Sequence, residues 1–164
     1  MKVAVPVDPE LAELIQRCHG RIQEYGCVNI TVPADLRKHT PCYSYTVGLM
    51  ERFAQPELLV FGVPEDLALE ALSELVRRFI RRNCGVPVNT PILRIVDRLP
   101  LIVMPANAVR AKAFMRLATA RCKQLGRECR VQQVVWPDPS GCFPWDTAYD
   151  RRYDVLQPRL FELQ

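Results

Sequence analysis

The sequence predicts one α+β domain. It has a mainly antiparallel sheet of five to six strands, two long helices packed on one face and a short helix at the N-terminus. Three observations predict this. Segments with a period of two, or apolar throughout, alternate with stripes of helical period in the order α-β-β-β-α-β-β-α-β. The links between successive strands are short, which favours antiparallel pairing. The chain has 164 residues, 49% hydrophobic and 24% charged, enough to bury one core.

Asp8-Pro9-Glu10 has the chemistry of a helix start: a capping carboxylate, a proline in the first turn and an acid near the positive end. Leu11, Leu14, Ile15 and Cys18 follow at helical spacing and predict a helix over 9–19. Val28, Ile30 and Val32 alternate with polar residues, so 28–32 reads as a strand between a bend at Gly26 and a stop at Pro33. Residues 42–49 form a second strand. Residues 58–63 form a third, apolar on both faces and therefore central.

Residues 65–82 carry the clearest helical stripe: Ala68, Ala71, Leu72, Leu75, Val76, Phe79 and Ile80. Arg77, Arg78, Arg81 and Arg82 crowd its negative end, and Asn83-Cys84-Gly85 with Pro87 stops it. Strands over 92–96 and 101–104 flank a turn at Asp97-Arg98. Asn107 caps a helix over 108–124, with Ala113, Phe114, Leu117 and Ala118 as its stripe and Gly126 beyond its end. A last strand covers 130–136, and a rigid loop follows over 136–145. Residues 147–164 read as a short helix or an added strand.

Fourteen prolines against seven glycines imply fixed turns rather than floppy linkers. No apolar run approaches the roughly 20 residues of a membrane span. Residues 1–7 lack the pattern of a cleaved leader, so the expected location is the cytoplasm. Cys18, Cys27, Cys42, Cys84, Cys122, Cys129 and Cys142 are odd in number, which predicts reduced thiols there. The net charge of +4 is too small to indicate nucleic acid unless the charges cluster. Arg77 to Arg82, with Arg110, Lys112, Arg116, Arg121, Lys123, Arg127 and Arg130, form a positive surface only if the two long helices align. Aromatics of the kind that stack on single strands are not interleaved among them.

Known catalytic and cofactor patterns are missing. The only serines are Ser44, Ser73 and Ser140, without a nucleophile elbow. There is no phosphate loop or dinucleotide fingerprint. No cofactor and no metal are expected: Cys18-His19 and the pair His39 and Cys42 are the sole candidates, and no Cys-x-x-Cys element supports them.

Three blocks carry a resemblance. They are Tyr45-Thr46-Val47-Gly48-Leu49, Pro56-Glu57-Leu58-Leu59-Val60-Phe61-Gly62, and Gln133-Val134-Val135-Trp136-Pro137-Asp138 with Gly141 and Phe143-Pro144-Trp145. In order and spacing they resemble a bacterial family of domains of unknown function, over about residues 20–146. One departure is Tyr25-Gly26-Cys27, where the family often has a His-Gly-Trp-like element, so no role of that His or Trp carries over. The resemblance implies a fold and a site location, and no activity.

The candidate site residues are Tyr45, Thr46, Glu57, Gln133, Trp136, Asp138, Phe143 and Trp145. In the leading expectation the chain is a protein-binding module, such as an inhibitor or immunity-type partner. It would use the loop over 136–145 or a helix face, because preorganised aromatics make effective anchors. The alternative is a small enzyme or ligand binder with a pocket near Tyr45, Glu57 and Asp138. In a third role the loop simply seals the sheet, and Asp138 bonds amides of its own turn.

Overall fold

The computed structural model describes residues 8–96 and 99–163. The leader reading of residues 1–7 and the turn at Asp97-Arg98 lie outside them.

Helix α1 (Pro9–Tyr25) starts as expected, with the Asp8 carboxylate accepting from the Glu10 amide. It runs past the expected end to Gly26, which takes the left-handed conformation (φ 88°) and returns its amide to the Ile22 carbonyl. Strand β1 (Val28–Val32) pairs antiparallel with β2 (Tyr43–Val47). The second strand is shorter than expected. At Gly48 (φ 117°) the chain turns into a five-residue helix, α2 (Leu49–Phe53). A Cβ there would meet Ile22 at 2.9 Å, so only glycine permits the turn. Sequence periodicity missed α2 because five residues are too few to display it.

Strand β3 (Glu57–Phe61) is buried along its whole length. Helix α3 (Glu65–Arg78) ends one turn early and tightens into a 3-10 turn over Ile80–Arg82. Strands β4 (Ile92–Val96) and β5 (Leu99–Pro105) form an antiparallel pair. The helix expected over 108–124 is broken in two, α4 (Ala108–Ala111) and α5 (Arg116–Gln124). Strand β6 (Val131–Val135) is followed by the loop and a 3-10 turn over Arg151–Val155.

The six strands lie in the order β1-β2-β3-β6-β5-β4. Every neighbouring pair is antiparallel except β3 and β6, which run parallel. Short links dictate the pairing of β1 with β2, β2 with β3 and β4 with β5. They say nothing about β3 and β6, which are separated by everything from α3 to α5. The sheet is therefore mixed, though mostly antiparallel.

The two long helices expected on one face stand on opposite faces. Helix α3 covers Leu58, Val60, Leu101, Val103 and Val134. Helices α1 and α5 cover Tyr45, Val47, Leu59, Phe61 and Val131 on the other side. A central strand apolar on both faces needs a cover on each, which accounts for the division. Beyond α5 the second face carries no helix among the described residues. There Ile102, Met104 and Val135 are covered by Phe143, Trp145 and Phe161 from the loop and tail.

Many arginines of the two basic clusters fasten one element to another. Arg78 donates to the Leu93 and Arg94 carbonyls of β4, and Arg81 donates to the Tyr25 carbonyl. Arg127 donates to the Met50 carbonyl, and Arg121 forms a largely covered ion pair with Glu51 at 2.8 Å. Because α3 and α5 lie on opposite faces, the clusters do not merge into one surface. No helix among the described residues is long and apolar enough to cross a membrane.

Candidate functional site at the aromatic loop

The loop over 136–145 is fixed by its own composition. Pro137, Pro139 and Pro144 each lock φ. Asp138 is 1% exposed, and its carboxylate accepts from the Ser140 amide (2.9 Å), the Cys142 amide (3.0 Å) and the Asp150 amide (2.9 Å). Those amides hold Asp138 below the usual carboxylate range. The Pro144 carbonyl accepts from Arg151 and Arg159, which ties the loop to the segment that follows.

Phe143 and Trp145 emerge stacked, with ring centroids 5.2 Å apart and planes 5° from parallel. Phe161 meets Trp145 edge-on at 5.8 Å. Phe143 is buried, whereas Trp145 is only half-buried. The exposed part of Trp145 walls a cleft of about 580 Å³, shared with Val88, Asn89, Met104, Asn107 and Glu162.

Trp136 points to the opposite face of the sheet. Its indole N–H donates to the Phe61 carbonyl (2.7 Å), and its ring borders a cavity of only about 90 Å³ beside α3. The Gln157 amide both donates to and accepts from the Trp136 backbone. Gln133 is fully buried, donating to the Pro158 carbonyl (2.8 Å) and accepting from the Leu160 amide (2.9 Å). These two glutamines pin the C-terminal segment beneath the sheet end. Gly62 (φ 70°) leaves no room for a Cβ where the Leu156 carbonyl crosses it.

Glu57 occupies a separate place. Its carboxylate accepts from the Thr46 hydroxyl (2.6 Å), the Gly48 amide (2.9 Å) and the Met50 amide (3.2 Å). Thr46 in turn accepts from the Leu58 amide. The carboxylate thus caps α2. Complete burial pushes it up to about 7, against the opposing pull of Thr46 and the amides. Tyr45 is 3% exposed beneath α1 and α5, where it borders a surface groove with Leu14, Phe114 and Arg116.

The pocket expected near Tyr45, Glu57 and Asp138 does not form among the described cavities: Tyr45 borders the groove, and neither carboxylate lines any of them. The reason is topological. Glu57 pairs with Val131 at the start of the parallel strands β3 and β6, whereas Asp138 follows the far end of β6. Of the eight candidates, Phe143 and Trp145 come together at the cleft. Thr46 and Glu57 come together under α2, and Gln133, Trp136 and Asp138 hold the loop and tail. Sequence reasoning missed Asn89, Met104 and Glu162, which join the cleft through tertiary packing alone. Only the turn-forming Asn89, at φ 53°, left a local signal.

Among the described residues no group of three or more His, Cys, Asp or Glu side chains is placed to hold a metal ion. His19 is engaged instead by the Arg121 guanidinium, at 2.8 Å from Nδ1.

No curated protein and no solved structure matches the chain. The family model for a domain of unknown function, DUF4262, matches residues 21–150. That span includes α2 with its Glu57 cap, the whole aromatic loop and Asp150, whose amide completes the Asp138 hub. With most of its length matched, the chain belongs to the DUF4262 family of domains of unknown function.

Proposed function

We propose that the chain is a protein-binding module whose docking face is centred on Trp145. The observation that carries the reading is the state of that side chain. It is held by a parallel stack on Phe143 and an edge contact with Phe161, yet remains partly exposed at the wall of a cleft of about 580 Å³. An aromatic fixed before binding loses little entropy on docking, and such anchors dominate interface energies. Around it, Val88 and Leu163 are 42% and 52% exposed, and Asn89, Asn107 and Glu162 provide a polar border. An apolar centre with a polar rim is the usual anatomy of a protein interface.

A photo-crosslinking residue placed at Val88 or Leu163, on either side of the cleft, tests this. The expected result is one discrete adduct with a partner protein in native extract, and no such adduct from the same group placed at Arg77 on α3. Crosslinking from Arg77 alone would move the docking face to the helix and sink the proposal.

A further inference from the structure

The C-terminal segment is pinned to the cleft wall at one residue. The Leu160 amide donates to the Gln133 side chain (2.9 Å), and the Leu160 carbonyl accepts from the Asn107 amide (2.7 Å). Phe161 is then buried and meets Trp145 edge-on. Glu162, the next residue, comes out exposed on the lining of the cleft of about 580 Å³. The backbone therefore fixes an acid one residue away from a side chain that touches the indole.

Two properties set this acid apart. It is the single charged side chain among the described residues that line the cleft; the rest of the wall is apolar or amide. It also enters no ion pair among the described residues, whereas Glu51, Glu74, Asp150 and Asp154 are each matched by an arginine. The nearby Arg151 and Arg159 are turned to the Pro144 carbonyl instead. The chain as a whole carries a net charge of +4, so a negative lining here is a local arrangement.

We infer that the cleft takes an arginine side chain of the partner, with its guanidinium against the exposed part of the Trp145 indole and its charge balanced by Glu162. That arginine enters the docking face proposed above, on which this assignment rests. An aromatic ring with a carboxylate beside it is suited to a cation, which the ring attracts and the acid neutralises. Arginine suits it better than lysine. The guanidinium is planar, stacks on aromatic rings and is more weakly hydrated than an ammonium. Its apolar stem matches the Val88 and Met104 walls.

The test is a titration of the folded full-length chain with acetyl-arginine amide, followed by the indole N–H resonances of its two tryptophans. Trp145→Phe assigns the two signals. The expected result is a saturable shift of the Trp145 signal at millimolar probe. Trp136, whose N–H is bonded to the Phe61 carbonyl on the other side of the sheet, should not move. Glu162→Gln should weaken binding about fivefold, the upper end for one exposed ion pair. Acetyl-citrulline amide, neutral and of the same shape, should lose about the same factor. Glu128→Gln, at an exposed acid on a different cleft, should leave binding unchanged. A Trp145 signal that does not move, or one that responds equally to citrulline or in Glu162→Gln, would overturn the inference. The crosslink at Val88 or Leu163 reads out separately. A partner adduct that forms equally in Glu162→Gln would leave the docking face standing and remove arginine from it.

Discussion

Two carboxylates each gather three donors in this molecule, yet they are displaced in opposite directions. Glu57 takes the Thr46 hydroxyl and two amides and is pushed up to about 7. Asp138 takes three amides and is held below its ordinary value. The donors are comparable, so depth decides. Glu57 lies wholly buried beneath α2, and no salt bridge reaches it among the described residues. Asp138 is covered by its own loop and the Asp150 segment, and Pro139, Ser140 and Gly141 beside it are exposed. Near the surface, hydrogen bonds outweigh desolvation; in the interior they do not. The Glu57 region is therefore built to hold the fold, and the Asp138 region to hold a surface loop in one shape.

The comparison breaks first at Glu57. Glu57→Ala leaves the Thr46 hydroxyl and two α2 amides without a partner and should lower unfolding stability by about 3 kcal/mol. Urea denaturation measures this, and a loss under about 1 kcal/mol would mean that α2 caps itself. Next in size is Gln133→Ala, which orphans the Pro158 carbonyl and the Leu160 amide. It should cost about 2 kcal/mol, with faster hydrogen exchange confined to the segment around Leu160.

The opposite shifts predict opposite pH slopes. Glu57 has a folded-state value above its ordinary 4.5, so its contribution is fully present below 4.5 and lost as pH rises through about 7. Asp138 has a folded-state value below its ordinary 3.8, so its contribution is present above 3.8 and lost as pH falls through the lowered value. Melting temperature followed against pH should lose its neutral-side decline in Glu57→Gln and its acid limb in Asp138→Asn. An unchanged profile in either variant would remove that carboxylate from the account.

How much of this was legible in the sequence follows from what each signal measures. The stripe from Ala68 to Ile80 and the alternation of Val28, Ile30 and Val32 are local patterns, and both elements exist. The side of the sheet that a helix covers is not local. Nothing in the stripes of α3 and α5 states that they face each other across the sheet, and the parallel pairing of β3 with β6 is equally invisible. At the site, the loop from Trp136 to Trp145 was conspicuous because its residues adjoin in sequence. Its division was not, since it depends on how the loop turns back over the sheet end: Trp136 goes to the α3 side and Trp145 to the cleft. Glu57 stood out by its place after Pro56, but its role depends on α2, a helix too short for periodicity to reveal.

Trp145→Ala should have the smallest effect on stability, about 1 kcal/mol from the lost stack, because the ring is partly exposed and the Asp138 hub is untouched. Its effect on binding should be the largest. The deciding measurement is the dissociation constant of the partner identified by crosslinking at the cleft, titrated against the wild-type chain and Trp145→Ala. A loss of about 30-fold or more, with the melting temperature and circular dichroism nearly unchanged, is the predicted result. Equal affinity for a folded Trp145→Ala chain would contradict the claim that the loop's rigidity serves to present this residue.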